Sequence, residues 1–89
     1  MGIKFTRRIV AQERVTIPKK VINALKIGEG DLVVLELTHK DKTAFLSASL
    51  HAKGQVRLTE AVRDSLGVGE GDIIDIEIKD VVKEKSEGR

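Results

Sequence analysis

Arg14–Leu37 reads RVTIPKKVINALKIGEGDLVVLEL, and Gln55–Ile78 reads QVRLTEAVRDSLGVGEGDIIDIEI. A shift of 41 positions lays one stretch on the other without a gap. Val15 falls on Val56, Val21 on Val62 and Leu25 on Leu66, and Gly28-Glu29-Gly30-Asp31 falls on Gly69-Glu70-Gly71-Asp72. Where residues differ, burial class usually matches: Ile17 falls on Leu58, Ile27 on Val68 and Leu35 on Ile76. Internal repetition decides architecture before any local reading does. Each copy is a short alternating strand, a short helix, a Gly-x-Gly-Asp turn and a second alternating strand. Periodicity alone supports a duplicated strand–helix–strand unit, arranged as a small barrel or sandwich.

The repeat extends toward the N-terminus of each copy. Lys4 to Ala11 alternates, which marks a half-buried strand with Phe5, Ile9 and Ala11 on one side. Arg7 falls on that apolar side, where its counterpart is Ala48. In the second copy Leu46, Ala48, Leu50 and Ala52 form the inward set. Gln12-Glu13 and Lys53-Gly54 are read as tight turns. The following strands place Val15 and Ile17 inward, with Val56 and Leu58 in the second copy, and turn Arg14 and Thr16 outward. Pro18 suits the start of a helix, where a missing N–H costs nothing, and Thr59 in its place can cap by its hydroxyl. Gly67 suits a helix C-cap, and the Gly-x-Gly-Asp turns suit positive φ. Val33, Leu35 and Leu37 share one side of the closing strand, as do Ile74, Ile76 and Ile78. His39 to Thr43 is read as a polar connector between the modules.

The chain has 89 residues, which suits one domain. Each half is near the size that struggles to fold alone, so the two are expected to share one core. Module one is placed at 3–39, module two at 44–80, the single domain at 1–82 and a disordered tail at 83–89. With 2% aromatic residues, the core is built from Val, Ile and Leu. No cysteine is present, which excludes disulfides and thiolate metal sites. No apolar run is long enough to span a bilayer, and no signal-peptide pattern opens the chain, so a cytoplasmic protein without a membrane partner is expected. Net charge is +2 but unevenly spread. Residues 1–41 carry eight Lys/Arg against five Asp/Glu, and residues 42–79 carry five against six. Module one is the basic one.

Arg14, Ile17, Pro18, Leu25, Ile27, Gly30 and Asp31 stand in the register of a known pattern. The segment RVTIPKKVINALKIGEGD resembles the AbrB/MazE/SpoVT family of small DNA-binding proteins. Two tandem copies in one chain look like the duplicated, archaeal-type members of the wider cradle-loop barrel group. The resemblance implies a mainly β fold with two short helices: a small six-stranded pseudo-two-fold cradle-loop barrel, RIFT or swapped-hairpin in type. It is built from two tandem strand–strand–helix–strand modules. The resemblance also implies a DNA-binding transcription regulator with double-stranded DNA as its partner. The family's strand arginines map to Arg7 and Arg14. The two helix positions hold Ile22 and Asn23, but the helix carries Lys19 and Lys20. Arg7, Arg8, Arg14, Lys19 and Lys20 are therefore the expected phosphate-contacting set. In module two the mapped positions are Ala48 and Gln55, which makes the expected surface one-sided.

Other function classes find less in the residues. The Gly-Glu-Gly-Asp turns have neither Walker nor dinucleotide spacing, and their carboxylates repel phosphate. His39 and His51 stand apart with no partner at ligand spacing, so no metal or cofactor is expected. Ser47 and Ser49 have no base beside them, and no catalytic residue is assigned. A second expectation, from a different class, is a protein-interaction or oligomerisation barrel that keeps the fold without DNA. Antitoxins of the family wrap a toxin with a long C-terminal segment, whereas only residues 80–89 follow Lys79 here. A chain holding both modules is expected to close its own core as a monomer, with a homodimer as the other outcome.

A shared core predicts one cooperative unfolding transition for the whole chain. Residues 1–41 and 42–89, expressed separately, should not fold as monomers. A well-dispersed monomeric NMR spectrum from residues 1–41 would overturn the shared core.

Overall fold

Residues 2–83 are described by a computed structural model of the chain. The elements in order are β1 (Ile3–Arg8), β2 (Arg14–Thr16), α1 (Lys19–Leu25), β3 (Leu32–His39), β4 (Lys42–Ser49), β5 (Gln55–Arg57), α2 (Glu60–Leu66) and β6 (Ile73–Val82). All strand pairs are antiparallel. Four strands form a sheet in the order β1-β6-β3-β4, and β2 pairs with β5 as a separate ribbon.

The register exposes the duplication. In the sheet Glu36 pairs with Glu77, its own repeat counterpart. In the ribbon Val15 pairs with Val56, again its counterpart. A pseudo-two-fold axis therefore passes through both pairs. Around it Val15, Val33, Leu35, Leu37, Val56, Ile74, Ile76 and Ile78 are each at most 1% exposed. Both halves fill one core, and the inward sets of the closing strands are those read from parity.

Hydrogen bonding does not close the six strands into a barrel. Between β1 and β2 there is an isolated Val10–Arg14 bridge instead of a ladder. The links Ala11–Glu13 and Ala52–Gly54 are single 3-10 turns. Their left-handed residues Gln12 (φ 64) and Lys53 (φ 63) swing the ribbon out of sheet register. Ala11 and Ala52, expected inside, are accordingly exposed on these turns. The expected connector at His39–Thr43 is also corrected. β3 and β4 pair directly up to His39–Lys42, leaving only Lys40 and Asp41 in the turn. Tandem modules thus meet through a hairpin, which needs no linker.

The helices differ in how firmly they are held. Thr59 Oγ1 accepts the Val62 N–H at 3.2 Å, and Gly67 (φ 69) caps the C-terminus of α2. Pro18 gives α1 no side-chain cap, and Lys26 takes the left-handed C-cap (φ 56). Val62 and Leu66 are buried, whereas Val21 and Leu25 are only partly so. Each helix C-cap has a lysine near it. Lys83 Nζ donates to the Lys26 carbonyl and lies 3.3 Å from Asp31 Oδ2. Its counterpart Lys42 brings Nζ to within 3.8 Å of where a Cβ on Gly67 would stand. A cation at a helix C-terminus complements the helix dipole. The repeat therefore reaches Lys83, the first residue of the expected tail. Residues 84–89, on which the rest of that expectation falls, lie outside the described residues.

The Gly-x-Gly-Asp turns behave as read. Gly30 (φ 94) and Gly71 (φ 97) are left-handed. Asp31 Oδ2 accepts the Gly28 N–H at 2.8 Å, and Asp72 Oδ2 accepts that of Gly69 at 2.9 Å. On the outer face Glu36 and Glu77 bring like charges together. Lys79 Nζ stands 3.5 Å from a carboxylate oxygen of each. The charge of Glu77, and next the bond to Glu36, raise the Lys79 pKa above its ordinary value. Lys79 shares the outer face with Glu77 by strand parity, and a register shift between Val34 and Leu35 occurs opposite it.

Truncation of Leu35 or Ile76 to Ala should cost about 2–4 kcal/mol of unfolding free energy by denaturant titration. Losses below about 0.5 kcal/mol at both would mean these symmetric sites are not core. A second expectation concerns Gly54, which is buried at φ 73 with Ile22 Cδ1 2.4 Å from where a Cβ would lie. Gly54→Ala should destabilise by about 1–2 kcal/mol through left-handed backbone strain. An unchanged denaturant midpoint would show that this conformation is not held.

Candidate functional site

Arg7 sits at core parity on β1, yet its guanidinium escapes the core. Its Nε donates to the Thr16 carbonyl at 2.6 Å, so the side chain turns along the end of β2. That solves the problem of a cation on an apolar face, because the buried part of the side chain is bonded and the charge emerges. It emerges into an open groove of about 630 Å³ between α1 and the Ala52–Gly54 turn. Lys19 and Asn23 of α1 line one side, His51 and Lys53 line the other, and Ile22 and Gly54 lie between. Glu29 is the single carboxylate among the lining residues.

Gly54, which has no side chain, lines the groove beside Ile22. Ile22 packs onto this glycine, bringing α1 close to the second module's turn. In the pseudo-symmetric place the same two positions are Arg63 and Glu13. There Arg63 Nε and Glu13 Oε1 are 3.9 Å apart, an ion pair with no hydrogen bond to either atom among the described residues. One copy closes this seam by apolar contact and the other by charge. The cations of the groove do not repeat either. The counterparts of Arg7, Lys19 and Lys53 are Ala48, Glu60 and Gln12. Divergence after duplication has left one basic groove.

The five expected residues do not form one cluster. Arg7 and Lys19 share the groove. Lys20 follows on α1 and is exposed. Arg14 lies on the outer face of the β2–β5 ribbon, directly opposite Arg57. Its Nη1 donates to Gln55 Oε1 at 3.0 Å, while its Nε is buried without a hydrogen-bond partner. Gln55 is the repeat counterpart of Arg14, so the side chain is held across the pseudo-axis rather than free. Thr16, which lines the groove, pairs with Gln55 on the same ribbon. The ribbon thereby carries Arg14 and Arg57 alongside the groove. Arg8 stands apart: it is on the opposite face of β1 from Arg7, exposed and paired with Ile73.

Lys53, His51 and Arg57 escape a reading confined to module one, because the antiparallel ribbon brings them there from module two. A signal was available in the repeat itself. Gly54 replaces Glu13, and Lys53 replaces Gln12, which marks the Ala52–Gly54 turn as the place where the copies differ in both size and charge. The other polar residues are scattered. His39 Nδ1 lies 3.2 Å from the Ile73 carbonyl, and Ser47 and Ser49 are exposed on β4. No group of three or more His, Cys, Asp or Glu that could hold a metal ion occurs among the described residues. No helix of the described residues is long and apolar enough to cross a membrane.

No family model and no curated protein matches the chain. Among solved structures, the chain is similar to PHS018 from Pyrococcus horikoshii, whose structure was determined in solution. The similarity has a TM-score of 0.85 at 23% identity and covers 93% of this chain and 95% of that one. The chain thus has the fold of PHS018: a small, mainly β domain with antiparallel sheets and two helices.

Proposed function

We propose that the chain is a DNA-binding transcription regulator of AbrB-like type, acting in the cytoplasm, and that it grips the phosphate backbone of double-stranded DNA through the Arg7–Lys19–Lys53 groove. The observation that carries the reading is the gathering of these three cations, from both modules, around one open groove with a single carboxylate. Lys19 and Lys53 are exposed and held by no ion pair among the described residues, so their charge is available to a polyanion. Phosphate neutralisation releases counterions and gives salt-dependent affinity without base reading. Arg14 and Arg57, opposite one another on the ribbon, extend the cationic surface. Like charges directly opposed in a sheet are unfavourable, and an anion between them relieves that repulsion. Arg8 is left out of this surface, and Lys20 flanks it. The same reading places the fold in the cradle-loop group, with the ribbon lying over the sheet about a pseudo-two-fold axis.

Fluorescence anisotropy with labelled duplex DNA at stepped salt tests the proposal. Lys19→Ala and Lys53→Ala should each weaken binding and lower the log–log salt slope by roughly one unit, alike for all sequences. Arg14→Ala should weaken it as well, and Glu60→Ala, at the counterpart of Lys19, should not. No binding by the wild-type chain at low salt, or equal losses at Lys19 and Glu60, would overturn the groove as the DNA surface.

A further inference from the structure

The four-stranded sheet has two open edges, β1 and β4, and they are repeat counterparts. Natural sheets guard such edges with charge, because unpaired N–H and C=O groups invite another strand. The side of each strand that faces outward can be read from the turns. Leu50 N–H donates to the Asp31 carbonyl at 2.8 Å and Ile9 N–H donates to that of Asp72 at 2.8 Å. Alternation along antiparallel ladders then directs the backbone groups of Lys4, Thr6 and Arg8 to the β1 edge. It directs those of Thr43, Phe45, Ser47 and Ser49 to the β4 edge. On β1 two of these three residues are cations. On β4 the matching positions hold Phe45, Ser47 and Ser49, and no charge occurs between Lys42 and Ser49. The neighbouring strand follows suit: Asp75 beside β1 corresponds to Val34 beside β4. Phe45 is 66% exposed, although it is one of only two aromatic residues in the chain.

From this edge we infer that β4 pairs antiparallel with β4 of a second copy of the chain, joining two four-stranded sheets into one. The occupant follows from self-complementarity. Centring the pairing on Leu46 uses the whole strand and sets Phe45 beside Ser47 of the second copy and Thr43 beside Ser49. Lys42 then falls opposite Leu50, so no like charges meet. The two Phe45 rings become diagonal neighbours on the outer face, within reach of one another. The nearest carboxylate, Glu36, is opposite Phe45 within the sheet and is already matched by Lys79. Helix α2 packs against β4, with Leu66 and Gly67 beside Lys42 at one end of the strand, and it leaves Thr43, Phe45, Ser47 and Ser49 exposed. The two-fold carries the second α2 to the other end. Pairing of β1 with itself would instead crowd Lys4 and Arg8. The inference does not rest on the DNA reading, and its test contains no nucleic acid.

Sedimentation equilibrium of the full chain at rising concentration is the experiment. The expected result is a reversible shift from 9.8 kDa toward twice that mass. The double variant Phe45→Lys, Ser49→Arg carries the residues that guard β1. It should keep the wild-type circular dichroism and self-associate about tenfold more weakly or worse. A measurement on the wild type needs no variant: the amides of Thr43, Phe45, Ser47 and Ser49 should exchange more slowly as concentration rises. A monomer at every concentration with freely exchanging edge amides overturns the inference. So does a dimer that persists undiminished in the folded double variant.

Discussion

The antiparallel pairing of β3 with β6 is the constraint on which the rest of the structure depends. It sits on the pseudo-two-fold axis and sets Val33, Leu35 and Leu37 against Ile74, Ile76 and Ile78 in one core. Those side chains come from separate modules, so neither module can bury its apolar face alone. The same pairing brings Glu36 against Glu77, an unavoidable result of placing a residue opposite its own copy. Lys79 resolves that repulsion, and it is present in only one copy, where Thr38 stands in the other. A symmetric sequence could not provide a lone cation on the axis. The axis itself therefore rewards asymmetry.

Much of this was legible in the sequence because two signals agreed. Parity along the strands identified the inward residues, and the repeat showed that both copies made the same choice. Residues such as Leu35 and Ile76 were thus read twice. Caps were legible for the same reason: Thr59, Gly67 and the two Gly-Asp turns have local chemistry that needs no tertiary context. What escaped was decided between modules. The lift of the β2–β5 ribbon out of the sheet depends on left-handed Gln12 and Lys53, neither of which advertises positive φ by residue type. The placement of Lys53 and His51 beside Lys19 depends on which strands pair. Arg7 was visible as an anomaly of parity, but its bond to the Thr16 carbonyl, which turns it into the groove, was not.

The two copies have specialised by small changes at matched backbone positions. Glu13 against Gly54 sets an ion pair with Arg63 at one seam and lets Ile22 pack closely at the other. Lys19 against Glu60 gives the helices opposite charge at their first turn. Lys4 and Arg8 against Phe45 and Ser49 guard one sheet edge and clear the other. None of these changes falls on the central strand residues, where Val15, Val33, Leu35 and Leu37 and their counterparts Val56, Ile74, Ile76 and Ile78 are all buried. Duplication has separated the residues that specify the fold from those that vary the surface.

The unequal capping of the helices has a consequence for how the molecule opens. Native proteins unfold locally in units whose free energies range from near zero to that of global unfolding. α2 has a hydroxyl at one end, a glycine at the other and two buried side chains beneath it. α1 has proline, a left-handed lysine and a half-buried face, with Ile22 packed on Gly54 of the second module. The spectrum of partial openings is therefore lopsided, with α1 released well below the threshold that frees α2 or the central strands. The less firmly held helix, α1, is one wall of the groove. The width of the groove can adapt to what enters it while the sheet and its β4 edge keep their shape.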